Sequence, residues 1–416
     1  MSNSPPLDFA PPRYFLSLGA GPNQVPLIHA ARRLGYEVIA VDQDLRAPGF
    51  SEATIQVQCS ILRPGQIIRL LDENLVEGQI VGVGCRSFGR ANLSAALLSR
   101  HFATPGLRRS NLRFFRNKRL LKRHLEKNGL RGPRSYRWRS EGERDHLAAS
   151  KGPWVARPVN GHGKLGVALL HDQDELTYYL EKQGADRGQA LLEDYIQAPE
   201  ITVMGMVHGG RFRTITITDK VTSQEEPLFV ELKHSCPTHI SMPMQKRVSE
   251  LMQKIVDATR LMTGPIVAEF LWPDPSKDPL LVECFPETGG ELLADELLPA
   301  AYDQQNYFED FVRLHTGEIP VGVPTPQRPA HRVIIRFIAQ REGLLEELTF
   351  PEEIQEHPGF LFARYLKRPG ERTSLTGGNN DRLAVFALRA PLAESSHLDS
   401  EVESLARRVK IRYARP

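Results

Sequence analysis

The sequence predicts an α/β protein of two or three domains, and three observations predict it. Its 416 residues exceed what a single compact core organises. Arg13 to Val41 reads as strand, glycine-rich turn, amphipathic helix and strand, the βαβ unit of a parallel sheet. From Ala190 onward, strand patterns recur as hairpins. One of these carries a carboxylate in each arm, Glu269 within Ile266-Val267-Ala268-Glu269-Phe270 and Glu283 within Leu280 to Phe285, joined by the loop Trp272 to Pro279. In mostly apolar strands the two acids are expensive to bury as bare anions. A divalent cation between them removes that cost, and Mg²⁺ takes one or two carboxylates plus phosphate oxygens. The alternative, on this hairpin alone, is a pair of edge-strand surface residues.

The elements follow in order. Arg13 to Leu18 is a strand, Gly19 to Gln24 a loop, Val25 to Leu34 a helix closed by Gly35, and Tyr36 to Val41 a strand ending at Asp42. The loop is close to a dinucleotide fingerprint, with Asp42 where a ribose-binding acid would stand, but Gln24 replaces the third glycine. What survives is a glycine-rich turn opening a helix, which offers N–H groups to a phosphate or carboxylate. Ile80 to Val83 is a further strand, with the helix Ala91 to Arg100 packed on it. Asn117 to Asn128 is a basic helix closed by Gly129. Pro153 to Pro158 is a strand containing Arg157. Asn160-Gly161-His162-Gly163-Lys164-Leu165-Gly166 follows, and glycines with cations in a turn between strands suit a flap over phosphates. No Lys-Ser/Thr pair follows, so it is not a P-loop; the alternative is an ordinary charged hairpin turn. Ala190 to Ile196 is a strand. Glu200 to Val207 and Phe212 to Thr218 form a hairpin about Gly209-Gly210. Ser241 to Thr263 and Asp303 to Thr316 are helices, and Pro320 to Pro329 is a linker. Val333 to Ala339 and Leu383 to Ala390 are strands, and Ser400 to Val409 is a last helix with Asp399 as N-cap.

Composition excludes several classes. Net charge is only +3, which does not point to nucleic acid. A basic run from Arg108 to Arg139 could form a phosphate or nucleic-acid patch, but such runs are more often solvated helix faces. No apolar run is long enough to span a bilayer. Met1 to Pro12 is polar and proline-rich, a disordered tail by composition rather than a secretory signal. The four cysteines lack paired spacing, so neither a disulfide framework nor a zinc site is expected, and a reducing cytoplasm is the simplest home.

In this order, the features resemble the ATP-grasp superfamily, in particular carboxylate–amine ligases of the L-amino-acid (dipeptide) ligase kind, from about Arg13 to Tyr413. The resemblance implies an ATP-grasp fold with an N-terminal Rossmann-like preATP-grasp domain. The expected divisions are a tail at 1–12, the preATP-grasp domain at 13–110, a small lobe with its connecting basic helix at 111–192, and a large lobe with a C-terminal extension at 193–416. It implies ATP and Mg²⁺, with Mn²⁺ as a substitute, small-molecule carboxylate and amine substrates, and a homodimer. Lys118 matches the first nucleotide lysine and Arg157 the second. Gly161, His162, Gly163, Lys164 and Gly166 match the phosphate flap. Glu193, Asp194, Tyr195 and Ile196 match the adenine hinge, and Glu200 the ribose acid. Glu269 and Glu283 match the metal carboxylates. Gly19 and Gly21 would face the carboxylate substrate, and Glu287, Gly290 and Glu291 would lie on the substrate side.

Two positions depart from the family's pattern. After the second metal carboxylate, Phe285 stands for an Asn that is normally a metal ligand, and Glu287 for an Arg that normally touches phosphate. Arg157 for lysine keeps the charge and gains a planar fork. One expectation is that Glu287 becomes the replacement metal ligand and Arg336 supplies the missing cation. The other is that Glu287 and Glu291, one turn apart on a helix face, bind a cationic amine. The implied reaction joins a carboxylate to an amine through an acyl phosphate, with Lys118, Arg157 and Lys164 as counter-charges. His162 or His234 either assists amine deprotonation or contacts substrate. The alternative is a degenerate ATP-grasp protein that binds nucleotide without turnover.

Overall fold

The computed structural model describes residues 11–74, 77–87, 89–136, 152–160, 163–182, 190–225, 228–303, 306–318 and 328–414. The βαβ unit opens a four-stranded parallel sheet, in spatial order Ile55–Gln58, Glu37–Asp42, Arg13–Leu18, Gln79–Cys85. A small antiparallel sheet carries Ser135–Tyr136, Ala190–Asp194, Trp154–Pro158 and Ala168–Leu170. The largest sheet is antiparallel and eight-stranded: Leu280–Phe285, Thr263–Leu271, Glu200–His208, Arg211–Thr222, Glu231–Cys236, His331–Ile338, Ala384–Pro391 and Phe360–Tyr365.

The strand period of two explains how this large sheet can be apolar beneath and charged above. Ala268 and Phe270 enter a core with Val248, Met252 and Ile255 of the helix Met242–Thr259. Val267, Glu269 and Leu271 face the opposite way, into a cleft. Leu121 and Leu125 of the basic helix Lys118–Glu126 join the same core, so this helix packs on the large sheet. Asn117 caps it by accepting from the Leu120 amide at 3.1 Å. The helix Val25–Arg33 buries Leu27 and Ile28 in a cluster that includes Phe311 and Val312 of the helix Tyr307–Thr316, which ties the parallel sheet to the large one.

Some boundaries differ from expectation. The helix Met242–Thr259 stops at Arg260, which turns left-handed (φ 54°) because Thr263 already begins a strand. The last helix is Leu398–Arg407 with His397 at its N-cap. Asp399 lies inside its first turn, bonded to Arg332 and Lys233 rather than capping. The strand Glu231–Cys236 was not expected, since ELKHSC shows no apolar alternation. It is built into the sheet because its polar side chains find partners there. The tail at 1–10 and most of the linker lie outside the described residues.

Candidate active site

Glu269 and Glu283 are directly opposed in the antiparallel ladder, so their side chains share one face at cross-strand distance. Both line a cleft of about 740 Å³ between the small and large sheets. Cations surround them. Lys118 lies 3.7 Å from Glu283, and Arg157 is 3.3 Å from the same carboxylate. Arg157 also donates through Nε to Glu193 at 2.8 Å and through Nη2 to the Val282 carbonyl at 2.8 Å. Lys164, in a left-handed turn (φ 64°), reaches Glu269 at 3.5 Å and Glu231 at 3.7 Å. Burial works to raise the Glu269 carboxyl, but Lys164 and Lys220 outweigh it and hold the group at about 2. Burial lowers the Lys118 ammonium against the pull of Glu283.

Under the cleft lies a charge cluster centred on Lys220. Its ammonium is fully buried, 2.7 Å from Glu269, 2.9 Å from Glu231 and 3.0 Å from Glu200. Thr216, Thr218 and Lys220 alternate along Arg211–Thr222 and project to the same side of the sheet. Burial opposes the Lys220 charge, yet the three acids hold its proton well above the usual lysine range. Glu231 is driven well below the carboxylate range by Lys220, against burial. Burial raises Glu200 despite Lys220.

The other expected residues fall into two groups. Gly163, Lys164, Glu193, Asp194, Tyr195, Ile196, Glu200, Gly290 and Glu291 all line the cleft. Glu193, however, has its carboxylate engaged by Lys122 and Arg157, so it anchors the hinge strand as well as facing the cavity. Asp194 accepts from the Tyr136 hydroxyl at 2.6 Å. Gly166 sits in the same turn at φ 70°, and its carbonyl accepts from the Tyr179 hydroxyl. Gly161 and His162 lie outside the described residues.

Four expectations are corrected. Arg336 does not reach the cleft: it pairs with Glu403 of the last helix at 3.1 Å, on the other side of the sheet. The cation that does line the cleft on that side is Arg382, ion-paired with Glu291 and stacked over Phe337. Gly19 and Gly21 do not line it either, because their loop is filled from within. The Gln24 side chain occupies the turn, 3.0 Å from where a Gly19 Cβ would stand, and donates to the Arg86 carbonyl at 2.7 Å. Asp42 accepts from the Ala20 and Asp44 amides, which removes the dinucleotide reading. His234 is buried beneath the cleft, bonded to Thr218 at 3.1 Å, and burial pushes its imidazole below the usual histidine value against the pull of Glu231.

Glu287 and Glu291 are the fourth correction. They are not on a helix; helical geometry begins only at Leu293, after two left-handed residues, Glu291 and Leu292. Nor does Glu287 join the metal pair. Its Oε1 accepts from the Gly89 amide at 3.3 Å and from Asn92 at 3.2 Å, at the N-terminus of the helix Arg90–His101. Burial pushes this carboxyl up to about 7. An acid raised from 4.5 to about 7 binds its proton more tightly folded than unfolded, so it subtracts stability as pH rises through that window. Glu287→Gln is expected to flatten the fall in stability between about pH 4.5 and 7 and to exceed the parent above pH 7, read by urea unfolding across that range.

Asn379 links the C-terminal extension to the flap. Its amide donates to the Gly163 carbonyl at 3.2 Å, its Oδ1 accepts from the Glu231 amide at 3.0 Å, and its Nδ2 donates to Glu291 at 3.3 Å. Gly378 permits this approach, since a Cβ there would lie 2.4 Å from the Gly163 oxygen. Sequence reasoning missed Lys220, Glu231, Asn379 and Arg382. Only Lys220 left a trace, as the end of an alternating Thr-x-Thr-x-Lys stripe.

The residues present fit a divalent cation. Glu269 Oε2 is buried without a hydrogen-bond partner, 3.5 Å from the Lys164 ammonium, and Glu269 pairs with Glu283 in the ladder. Among the described residues no group of three or more His, Cys, Asp or Glu is disposed to hold a metal. Two carboxylates completed by phosphate oxygens is the usual arrangement for Mg²⁺.

The fold is that of ATP-grasp proteins, and residues 150–294 match the family model described as the ATP-grasp domain. Among solved structures, the chain resembles the L-amino acid ligase from Bacillus licheniformis (18% identity, TM-score 0.77, covering 98% of this chain and 100% of that one). It also resembles the biotin carboxylase domain dimer of the Hydrogenobacter thermophilus 2-oxoglutarate carboxylase, solved with MgADP, ADP and bicarbonate (15%, TM-score 0.67, 97% and 91%). By sequence it is 24% identical over 318 residues to the uncharacterized protein y4rH of Sinorhizobium fredii, a match covering 74% of this chain and 64% of that protein's length. No helix among the described residues is long and apolar enough to cross a membrane.

Proposed function

We propose that this protein is an ATP-dependent carboxylate–amine ligase that releases ADP and phosphate. The observation that carries the reading is the opposed pair Glu269 and Glu283, held in a cleft among Lys118, Arg157 and Lys164. The pair would hold Mg²⁺, which when bound neutralises phosphate charge and orients the triphosphate. In the reaction a substrate carboxylate oxygen attacks the γ-phosphorus and ADP leaves. The amine nitrogen then attacks the acyl carbon, phosphate leaves, and the nitrogen gives up a proton.

The chain's own contribution is positioning and charge. Lys118, Arg157 and Lys164 neutralise the phosphates. The backbone of Asp194 to Ile196 meets the base, and Glu200, oriented by Lys220, accepts from the ribose. The flap at Gly163 to Gly166, tied down by Asn379, excludes water, which would otherwise hydrolyse the activated acid. Arg382 takes the place expected of Arg336 as the cation nearest the acyl group. A homodimer is proposed by likeness to the biotin carboxylase domain dimer.

ADP release from ATP and Mg²⁺ with a panel of amino acids as acid and amine tests the reading. Release that depends on both partners supports it. A thermal shift with ATP and no release under any pairing replaces it with nucleotide binding without turnover.

A further inference from the structure

The acid pair is bracketed by hydrocarbon. On the cleft face, the next rung of the ladder sets Val267 against Phe285, and Leu271 follows Glu269 on the other side. None of these three side chains offers an oxygen to a cation. Half of each carboxylate is also committed. Glu269 Oε1 lies 2.7 Å from the buried Lys220 ammonium, while Oε2 has no hydrogen-bond partner. Glu283 Oε2 takes Arg157 at 3.3 Å and Lys118 at 3.7 Å. That leaves Glu269 Oε2 and Glu283 Oε1. The other acids of the cleft are held elsewhere. Glu193 is engaged by Lys122 and Arg157. Glu200 and Glu231 close on Lys220 at 3.0 and 2.9 Å. Glu291 pairs with Arg382 and Asn379, and Glu287 accepts from Gly89 and Asn92.

A fixed cation already stands on the Phe285 side of the pair. The Lys118 ammonium is 5.5 Å from the centre of the Phe285 ring as well as 3.7 Å from Glu283. A ring face attracts an ammonium but has no lone pair for a metal ion. Two oxygens suit one Mg²⁺, which completes its octahedron with phosphate oxygens and water. Shared between two ions, they would give each a single oxygen, and an ion on the Glu283 flank would meet the Lys118 ammonium and the ring. We propose that the cleft takes one divalent cation with the nucleotide, that Phe285 sets this number, and that Lys118, carried on its ring, supplies the fixed positive charge beside the ion. The inference rests on the ligase reading, whose acid pair holds the metal, and adds how many ions that pair takes.

The test counts Mn²⁺ on the full chain and needs no turnover. Electron paramagnetic resonance follows a Mn²⁺ titration with saturating β,γ-imido ATP, corrected for metal on free nucleotide. The parent is expected to bind one Mn²⁺ per chain. The E269Q/E283Q variant should hold it no more tightly than free nucleotide does. F285D, which sets a third carboxylate on the same face, should bind two. F285L should stay at one and weaken the nucleotide only about 2–5-fold, the scale of a lost cation–π contact. K118M should raise the nucleotide Kd about 10–100-fold, the scale of a lost charge-assisted hydrogen bond, with the count still at one. Two Mn²⁺ on the parent or on F285L overturn the proposal and leave the ligase reading standing. So does a single Mn²⁺ on F285D, once its thermal unfolding shows it folded; where it does not fold, F285N, with an amide oxygen in the same place, replaces it. A parent that holds Mn²⁺ no more tightly than free nucleotide removes the metal pair itself, and with it the observation that carries the ligase reading.

Discussion

Glu269→Gln and Glu283→Gln are each expected to lower ADP release by about 10²–10³-fold and to abolish its Mg²⁺ dependence at millimolar metal. The reason is geometric. The two carboxylates face each other across one ladder rung, and Glu269 Oε2 has no hydrogen-bond partner, only the Lys164 ammonium at 3.5 Å. An amide in either place keeps the volume but offers a neutral oxygen and a donor where a cation needs an anion. The surrounding lysines and Arg157 cannot compensate, because they bring the wrong sign. Should the parent bind ATP without turnover, the same substitutions should remove the Mg²⁺-dependent part of its thermal shift. Metal-dependent ADP release close to the parent's in both variants would mean that the pair does not hold the metal.

Lys220→Met is expected to destabilise the fold by about 3–5 kcal/mol at pH 7, measured by urea unfolding. Methionine fills much of the space, so the loss is electrostatic. Glu200, Glu231 and Glu269 all approach this one ammonium within 3.0 Å, and its side chain is wholly buried. Without it three acids converge, with Lys164 beside Glu231 and Glu269 and His234 beside Glu231. The sign with pH is diagnostic. Lys220 is held above 10.5 in the folded chain, so its contribution is complete below that pH and is lost only as pH rises through the folded value. Glu231 is held below 4.5, so its contribution is present at neutral pH and lost on acidification. In the variant this pattern reverses, because acids left together take up protons early. The Lys220→Met variant should therefore regain part of its deficit toward about pH 5. A loss below about 1 kcal/mol, the scale of a solvated pair, would show that the cluster is not coupled through this lysine.

Features that depend on a few neighbouring residues could be read directly. The opposed acids follow from strand alternation about a short loop, and the antiparallel ladder pairs them as the pattern implied. The basic helix is read from Asn117, and in the structure Asn117 caps it. The flap glycines read as a turn, and Gly163 and Gly166 take positive φ. Residues whose meaning depends on a remote partner were not legible. Arg336 and Arg382 are both cations beside or within late strands, and only strand order puts one behind the sheet and the other in the cleft. The Gly19 loop looked open to an anion because nothing local shows that Gln24 folds back into it.

The chain's own order of residues therefore sets which side chains share a strand face, where helices begin, and that acids and cations alternate along a cleft. Those outcomes depend on backbone periods of two and 3.6, which act over a handful of positions. Packing alone chooses the partners. Lys220 meets acids from three other strands, and Glu287 meets Asn92 across 195 residues of chain. The reason is that a buried charge must be matched by whatever the fold brings within reach, and that depends on strand order and domain contact, not on local spacing.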